Sequence, residues 1–233
     1  ILISNFTYAI SPVMLSRISY LYSQKSFEEI KAKISDGLIL ALFISIPALV
    51  GLYSIGQFFV PLFFGEEFIE SVPIMFILLP TCILSPISSI LINSYYYPSK
   101  KNKELTISLF VSIVVNVSLS LLNILALHLG AEGAAIGTLC AELILVISLI
   151  FGARHSITFS AIGKDLWKIL LDGGMIALAV VPFCYFVSIR PIIKVIIAVL
   201  IGIIVYAFSE LIKKEKICSI VLDTLIKRIK KKR

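Results

Sequence analysis

The stretch GAEGAAIGTLCAELILVISLIF, residues 130–151, decides how this chain is read. It is almost wholly apolar and long enough to cross a bilayer, yet it carries a carboxylate, Glu142, near its middle. A helix rises about 1.5 Å per residue, so roughly 20 residues cross a hydrocarbon core of about 30 Å. Counted from Ala134, Glu142 then lies about 12 Å deep. In water such a carboxylate is ordinary. In lipid it is costly and points to a function. The surroundings of the chain must therefore be settled first.

Composition settles them. The 233 residues are 59% hydrophobic and 15% charged, and the mean hydropathy is +1.03. Soluble domains are about one quarter charged. The expected fold class is all-α: a polytopic transmembrane helix bundle. Six full spans are predicted near 38–61, 73–96, 105–127, 134–152, 168–188 and 191–212. Residues 1–18 read as a partial N-terminal seventh. The first residue is Ile1, and no basic start with a short apolar core and a cleavage site follows. No signal peptide is expected, and the chain is expected to begin inside a longer protein.

The net charge of +7 is a topology signal rather than a nucleic-acid footprint. Arg17, Lys25, Lys31 and Lys33 lie in 17–36. Lys100, Lys101 and Lys103 follow one span, and Arg154, Lys164 and Lys168 follow another. With the tail from 213 onward, alternate connections place 19 of the 21 basic residues on one side. Only Arg190 and Lys194 fall on the other. Basic loops stay in the cytoplasm, so a cytoplasmic C-terminus is predicted, with nucleic acid excluded as a partner. Tyr95, Tyr96, Tyr97 and Trp167 are expected in an aromatic belt on the basic side, with Phe58, Phe59, Phe63 and Phe64 at the opposite boundary.

Two amphipathic segments are predicted on the cytoplasmic surface. SFEEIKAKI, from Ser26, has a capping-box spacing to Glu29. The basic tail places Ile217, Val221, Leu225 and Ile229 on one face.

Polar residues inside the spans carry the functional signal. Ala131, Ala135, Thr138 and Glu142 share one helical stripe, and Gly133, Gly137 and Ala141 form an adjacent small-residue stripe suited to close packing. Ile136, Leu139, Leu143, Val146 and Ile150 lie opposite and are assigned to lipid. On the preceding span Ser108, Ser112, Asn116, Ser120 and Asn123 share one broad face, so Asn116 or Ser120 is expected to meet Glu142. Two readings of Glu142 stay open: a protonated, hydrogen-bonded tie between helices, or a group used in a transport cycle. Pro12, Pro47, Pro80, Pro86 and Pro182 interrupt spans and predict kinks.

Enzyme signatures are missing. His128 and His155 fall on opposite sides of the membrane, and no HExxH, CxxC, P-loop or GxSxG pattern occurs. Cys82, Cys140, Cys184 and Cys218 have no metal-binding spacing and read as small apolar side chains. No cofactor or metal is expected, and no catalysis.

Three stretches resemble the polysaccharide (O-antigen type) flippase family, in the superfamily of multidrug, oligosaccharidyl-lipid and polysaccharide exporters. They are VMLSRISYLYSQKSFEEIK at 13–31, IPALVGLYSIGQFFVPLFFGEEF at 46–68 and LGAEGAAIGTLCAE at 129–142. The family usually has Pro before the arginine of the first stretch, where this chain has Ser16 before Arg17.

The resemblance implies the C-terminal lobe of a longer, two-lobed transporter. Residues 1–153 would be the lobe without its first helix, 154–212 two accessory helices, and 213–233 the basic cytoplasmic tail. The implied activity is flipping of polyprenyl-pyrophosphate-linked oligosaccharide across the bacterial cytoplasmic membrane for surface polysaccharide synthesis. Membrane lipids surround the protein, and a proton or sodium gradient is the implied drive. Glu142, Asn116, Ser120, Asn123, Thr138 and Arg17 are the implied cavity residues, with Arg17 toward the anionic head group. A drug or cation antiporter of the same fold is the alternative. A membrane glycan polymerase or ligase is a further one, disfavoured by the short outer loops.

Overall fold

The computed structural model describes residues 11–187 and 189–213. The tail helix predicted from Ile217 and the first ten residues lie outside them. Among the described residues the structure is helical, in this order: α1 (Ser11–Ser23), α2 (Phe27–Phe64), α3 (Ser71–Leu78), α4 (Thr81–Leu91), α5 (Asn102–Leu121), α6 (Gly130–Ala153), α7 (Phe159–Phe186) and α8 (Pro191–Lys213). Wider π turns extend α4 over Ile92–Tyr96 and α5 over Leu122–Ala126. Six helical segments are long and apolar enough to cross a membrane, with α3 and α4 forming one of them. These match the six predicted spans, and the all-α transmembrane architecture holds.

The helices pack as a row. α5 lies on α6, α6 on α3 and α4, α4 on α2, and α2 on α7 and α8. A core of Ile34, Leu38, Ile90, Leu91, Leu145 and Leu149 fills the end near the Lys100–Lys103 loop. Ile55, Ile176, Val180, Cys184 and Ala198 fill the other end, between α2, α7 and α8.

Prolines set the shape of α2 and of the α3–α4 pair. Proline lacks an N–H, so it leaves the carbonyl four residues back without its helical donor. In hydrocarbon that carbonyl needs another partner. Pro47 frees the Phe43 carbonyl, and the Tyr206 hydroxyl on α8 donates to it at 2.7 Å. Pro80 frees the Phe76 carbonyl, and the Tyr53 hydroxyl on α2 donates to it at 2.6 Å. Each tyrosine ring also packs on the phenylalanine whose carbonyl it serves, with centroids 5.2 and 5.1 Å apart. The backbone breaks thus tie α2 to α8 and α3 to α2.

Four expectations change. SFEEIKAKI is not a separate surface helix. It continues without interruption, through Ser35, Asp36 and a buried Gly37, into the 38-residue α2. Ser26 is the N-cap but its side chain makes no capping bond. Tyr95 and Tyr96 are buried, not in an interfacial belt: their hydroxyls donate to the Gly152 and Leu149 carbonyls at 3.1 Å each. Only Tyr97 of the three is exposed. On α6, Val146 is buried rather than lipid-facing, since α3 and α4 cover that side. Leu143, Ile147 and Phe151 are the exposed residues there.

The tyrosine–carbonyl bonds give a test. Tyr206→Phe should lower the stability of the full-length protein in detergent by about 1 kcal/mol, as for an interhelical hydrogen bond in a membrane protein. In a Pro47→Ala background, where residue 47 regains its N–H, the same change should cost less than half as much. An equal cost in both backgrounds would show that Tyr206 does not serve the freed carbonyl.

Candidate functional site

The α5–α6 pair is joined along the predicted polar face. Ser108 and Ser148 hydroxyls lie 2.7 Å apart, and Ser112 donates to the Ala141 carbonyl at 3.0 Å. Asn116 Nδ2 reaches Thr138 Oγ1 at 3.4 Å, and Asn123 Nδ2 donates to the Gly133 carbonyl at 3.1 Å. Small residues make the approach this close. A Cβ on Gly137 would run into Ser120 Oγ and come within 2.9 Å of its backbone nitrogen. A Cβ on Gly133 would sit 2.7 Å from that of Asn123. Gly133, Gly137 and Ala141 are buried in this seam, as their stripe predicted.

Glu142 lies one turn beyond Thr138, rotated toward α4. Its partner is Ser88, whose hydroxyl donates to Glu142 Oε1 at 3.1 Å. The partner expected from the preceding helix, Asn116 or Ser120, is not the one found. Backbones this close let Asn116 and Ser120 meet Thr138 and Gly137 instead. Glu142 is half-buried and lines a pocket of about 280 Å³ together with Ser112, Asn116, Thr138 and Ala141. It sits at the middle of the Gly130–Ser156 span, and Asn116 near the middle of Asn102–Ala126.

Ser88 can serve either protonation state of Glu142. Its single hydroxyl proton has two acceptors in reach, Glu142 Oε1 and the Ser85 carbonyl at 2.9 Å. A carboxylate takes that proton. A neutral carboxyl donates to Ser88 Oγ, and Ser88 then donates to Ser85.

Of the six residues expected at the site, Glu142, Asn116 and Thr138 are brought together around one pocket. Ser120 packs against Gly137, and Asn123 is buried in the seam at its loop end. Arg17 lies within α1, and its side chain is outside the described residues.

Sequence reasoning missed Ser88 and Asp172. Asp172 is 1% exposed, and Ser209 on α8 donates to its Oδ1. The predicted span began at 168, which placed Asp172 in a first, headgroup-level turn. The helix in fact begins at Phe159, so Asp172 lies more than three turns in, among apolar neighbours. The signal was a lone carboxylate in an apolar window, the same signal that marked Glu142. Elsewhere, Lys194 at the first turn of α8 donates to the Cys184 carbonyl at 2.9 Å and lies over the Phe58 ring, 4.5 Å from its centroid.

A row of helices long and apolar enough to cross a membrane, with a polar pocket at mid-depth, is the architecture of a multi-pass membrane protein. The model of the family "Lipid II flippase MurJ" matches residues 1–222. The chain belongs to that family, not to the O-antigen flippases that its motifs resemble. Residues 129–142 and 46–68 are apolar, small-residue patterns of a kind that any helix packing closely in lipid needs, so they marked the superfamily but not its branch.

A probable lipid II flippase MurJ of Thermotoga maritima is 27% identical over 220 residues, covering 91% of this chain and 43% of that protein. A solved structure of a lipid II flippase MurJ in an inward closed conformation matches with TM-score 0.72 and 25% identity, over 95% of this chain and 45% of that one. The chain thus spans less than half the length of these relatives. The family is named for flipping a lipid, which is transport.

Two substitutions probe the site. Gly137→Ala should destabilise the full-length protein by about 1–3 kcal/mol, as overpacking does. Gly174→Ala, where a Cβ meets open space, should not. Equal melting temperatures for the two variants would remove the close α5–α6 approach. Glu142→Gln keeps the Ser88 contact and should leave melting unchanged while lowering transport. Full transport at every external pH would make Glu142 a structural tie only.

Proposed function

We propose that this chain is the C-terminal transport lobe of a flippase that carries lipid II, a polyprenyl-pyrophosphate-linked peptidoglycan precursor, to the outer leaflet of the bacterial cytoplasmic membrane. Residues 1–153 form the lobe, 154–212 its two accessory helices and 213–233 a cytoplasmic tail. The observation that carries the reading is the midplane pocket of Glu142, Asn116 and Thr138, set in a chain whose family is that of the lipid II flippases. The names of the two matched relatives support a peptidoglycan precursor over an O-antigen unit as the cargo.

Polar groups at this depth are disfavoured unless they face protein or a water-filled cavity. The pocket opens between α5 and α6, on the side that the described helices leave uncovered. A second lobe placed there would close a cavity around the polar head of the cargo. The basic loops support a cytoplasmic end at Lys100–Lys103. Glu142 is the group that would exchange a proton or meet a sodium ion during the cycle, since Ser88 accommodates both of its charge states.

Depletion of the full-length protein in its own host tests this. Lipid II should accumulate several-fold while cell-wall synthesis stops. Accumulation of a different polyprenyl-linked glycan would overturn the cargo and leave the flippase. Normal levels of every lipid-linked precursor, with increased drug or cation sensitivity, would replace the flippase by an antiporter.

A further inference from the structure

Arg190 and Lys194 are the two basic residues of the chain that fall outside the basic side in the sequence-based topology. They are four residues apart, and the Lys194 N–H donates to the Arg190 carbonyl at 3.0 Å, so they share one helical face. Neither forms an ion pair among the described residues. The acidic neighbours at that end, Glu66, Glu67 and Glu70, are exposed and engage neither of them.

Lys194 also lines a pocket of about 600 Å³ between α2, α3, α7 and α8, walled by Gln57, Phe58, Val72, Pro73 and Tyr185. The Lys194 ammonium has three donors. One is used on the Cys184 carbonyl, which with the Phe58 ring fixes the head in place. The other two remain for a ligand, and Gln57 and Tyr185, which also line the pocket, carry further donor groups. Arg190 is exposed one turn away. The walls between these donors are apolar.

We infer that this pocket binds a phosphate ester anion, with Lys194 as the fixed cation and Arg190 as the second, mobile one. A lysine held by a carbonyl and an aromatic face loses little further entropy when an anion arrives. A guanidinium one turn away offers a bidentate fork to the same oxygens. Apolar walls beside the donors suit the glycerol and acyl stem of an anionic phospholipid, although inorganic phosphate shares the recognised chemistry. The inference rests on the proposed topology only for placing the pocket at the outer leaflet.

The test uses the full-length protein in nanodiscs of phosphatidylcholine with or without phosphatidylglycerol, followed by native mass spectrometry. Wild type should retain phosphatidylglycerol selectively. Arg190→Gln should lower retention by about fivefold, and the Lys194→Gln/Arg190→Gln double variant by about fivefold again, as expected for each basic residue near an anionic surface. Arg190 is exposed and forms no ion pair or ring contact among the described residues, so its variant should fold even if Lys194→Gln disturbs the end of α7.

Displacement of the lipid by millimolar inorganic phosphate would assign the site to soluble phosphate. Displacement only by further phosphatidylglycerol would assign it to the lipid. Equal retention by wild type and Arg190→Gln, or no preference for phosphatidylglycerol and no effect of phosphate, would overturn the site. A protein that binds the lipid but flips no precursor would sink the proposed function and leave this site standing.

Discussion

Two carbonyls, Phe43 and Phe76, lose their helical donors to Pro47 and Pro80, and a bilayer offers no water to replace them. Two of the ties on the α2 side of the bundle follow from how they are served. Tyr206 reaches Phe43 from α8, and Tyr53 reaches Phe76 from α2. Each bond closes only if the two helices sit at one register, so each proline fixes a helix pair as well as a bend. An interhelical hydrogen bond of this kind contributes about 1 kcal/mol. That is enough to select one packing among near neighbours. It is also small enough to be given up when a transporter changes state, since the tyrosine moves away with its own helix.

The α5 side is held differently. No proline interrupts Asn102–Ala126 or Gly130–Ser156. Without a hydrophobic drive between helices in lipid, attraction comes from close backbones and short polar contacts. Gly133, Gly137 and Ala141 provide the closeness. Ser112 and Asn123 bond the carbonyls of Ala141 and Gly133, which flank Gly137 along the helix. Such a seam is self-satisfied and stiff. Glu142 stands just outside it, where the α6 face turns toward α4. A proline-bent, tyrosine-pinned side and a seam-bonded side meet at the Ser88–Glu142 contact and at the Tyr95 and Tyr96 bonds to α6.

How much of this was legible follows from which physical rule acts alone. The six spans were readable because length and apolarity suffice in a bilayer. The small-residue stripe of α6 was readable because its neighbour is joined by a tight turn, at Leu127–Leu129 before Gly130. The partner of Glu142 was not. Ser88 lies 54 residues away, and nothing local distinguishes it from Ser85 or Ser89. The same holds for Tyr95 and Tyr96. Placed by depth alone they belong to an interfacial belt, yet both rings turn inward and their hydroxyls reach the Gly152 and Leu149 carbonyls of α6. Asp172 was misplaced by a helix start: the polar stretch after Phe159 reads as a loop, but its backbone stays helical.

The difference between Asp172 and Glu142 bears on mechanism. Both are carboxyl groups inside spans, and both bond a serine on another helix. Asp172 is closed off, at 1% exposure, beneath α8. A proton or cation reaching it would have to part α7 from α8. Glu142 opens onto a pocket that also holds Asn116 and Thr138. If one of the two carboxyls takes part in coupling, the pocket favours Glu142 over the buried Asp172, whose serine bond ties α7 to α8. Glu142 then lies on the seam-bonded side and the prolines on the other, with the Ser88 hydroxyl and the Tyr95 and Tyr96 hydroxyls bonding across to α6. The Ser88 hydroxyl has both Glu142 on α6 and the Ser85 carbonyl of α4 in reach, so it is the polar link between the pocket and the proline-interrupted pair.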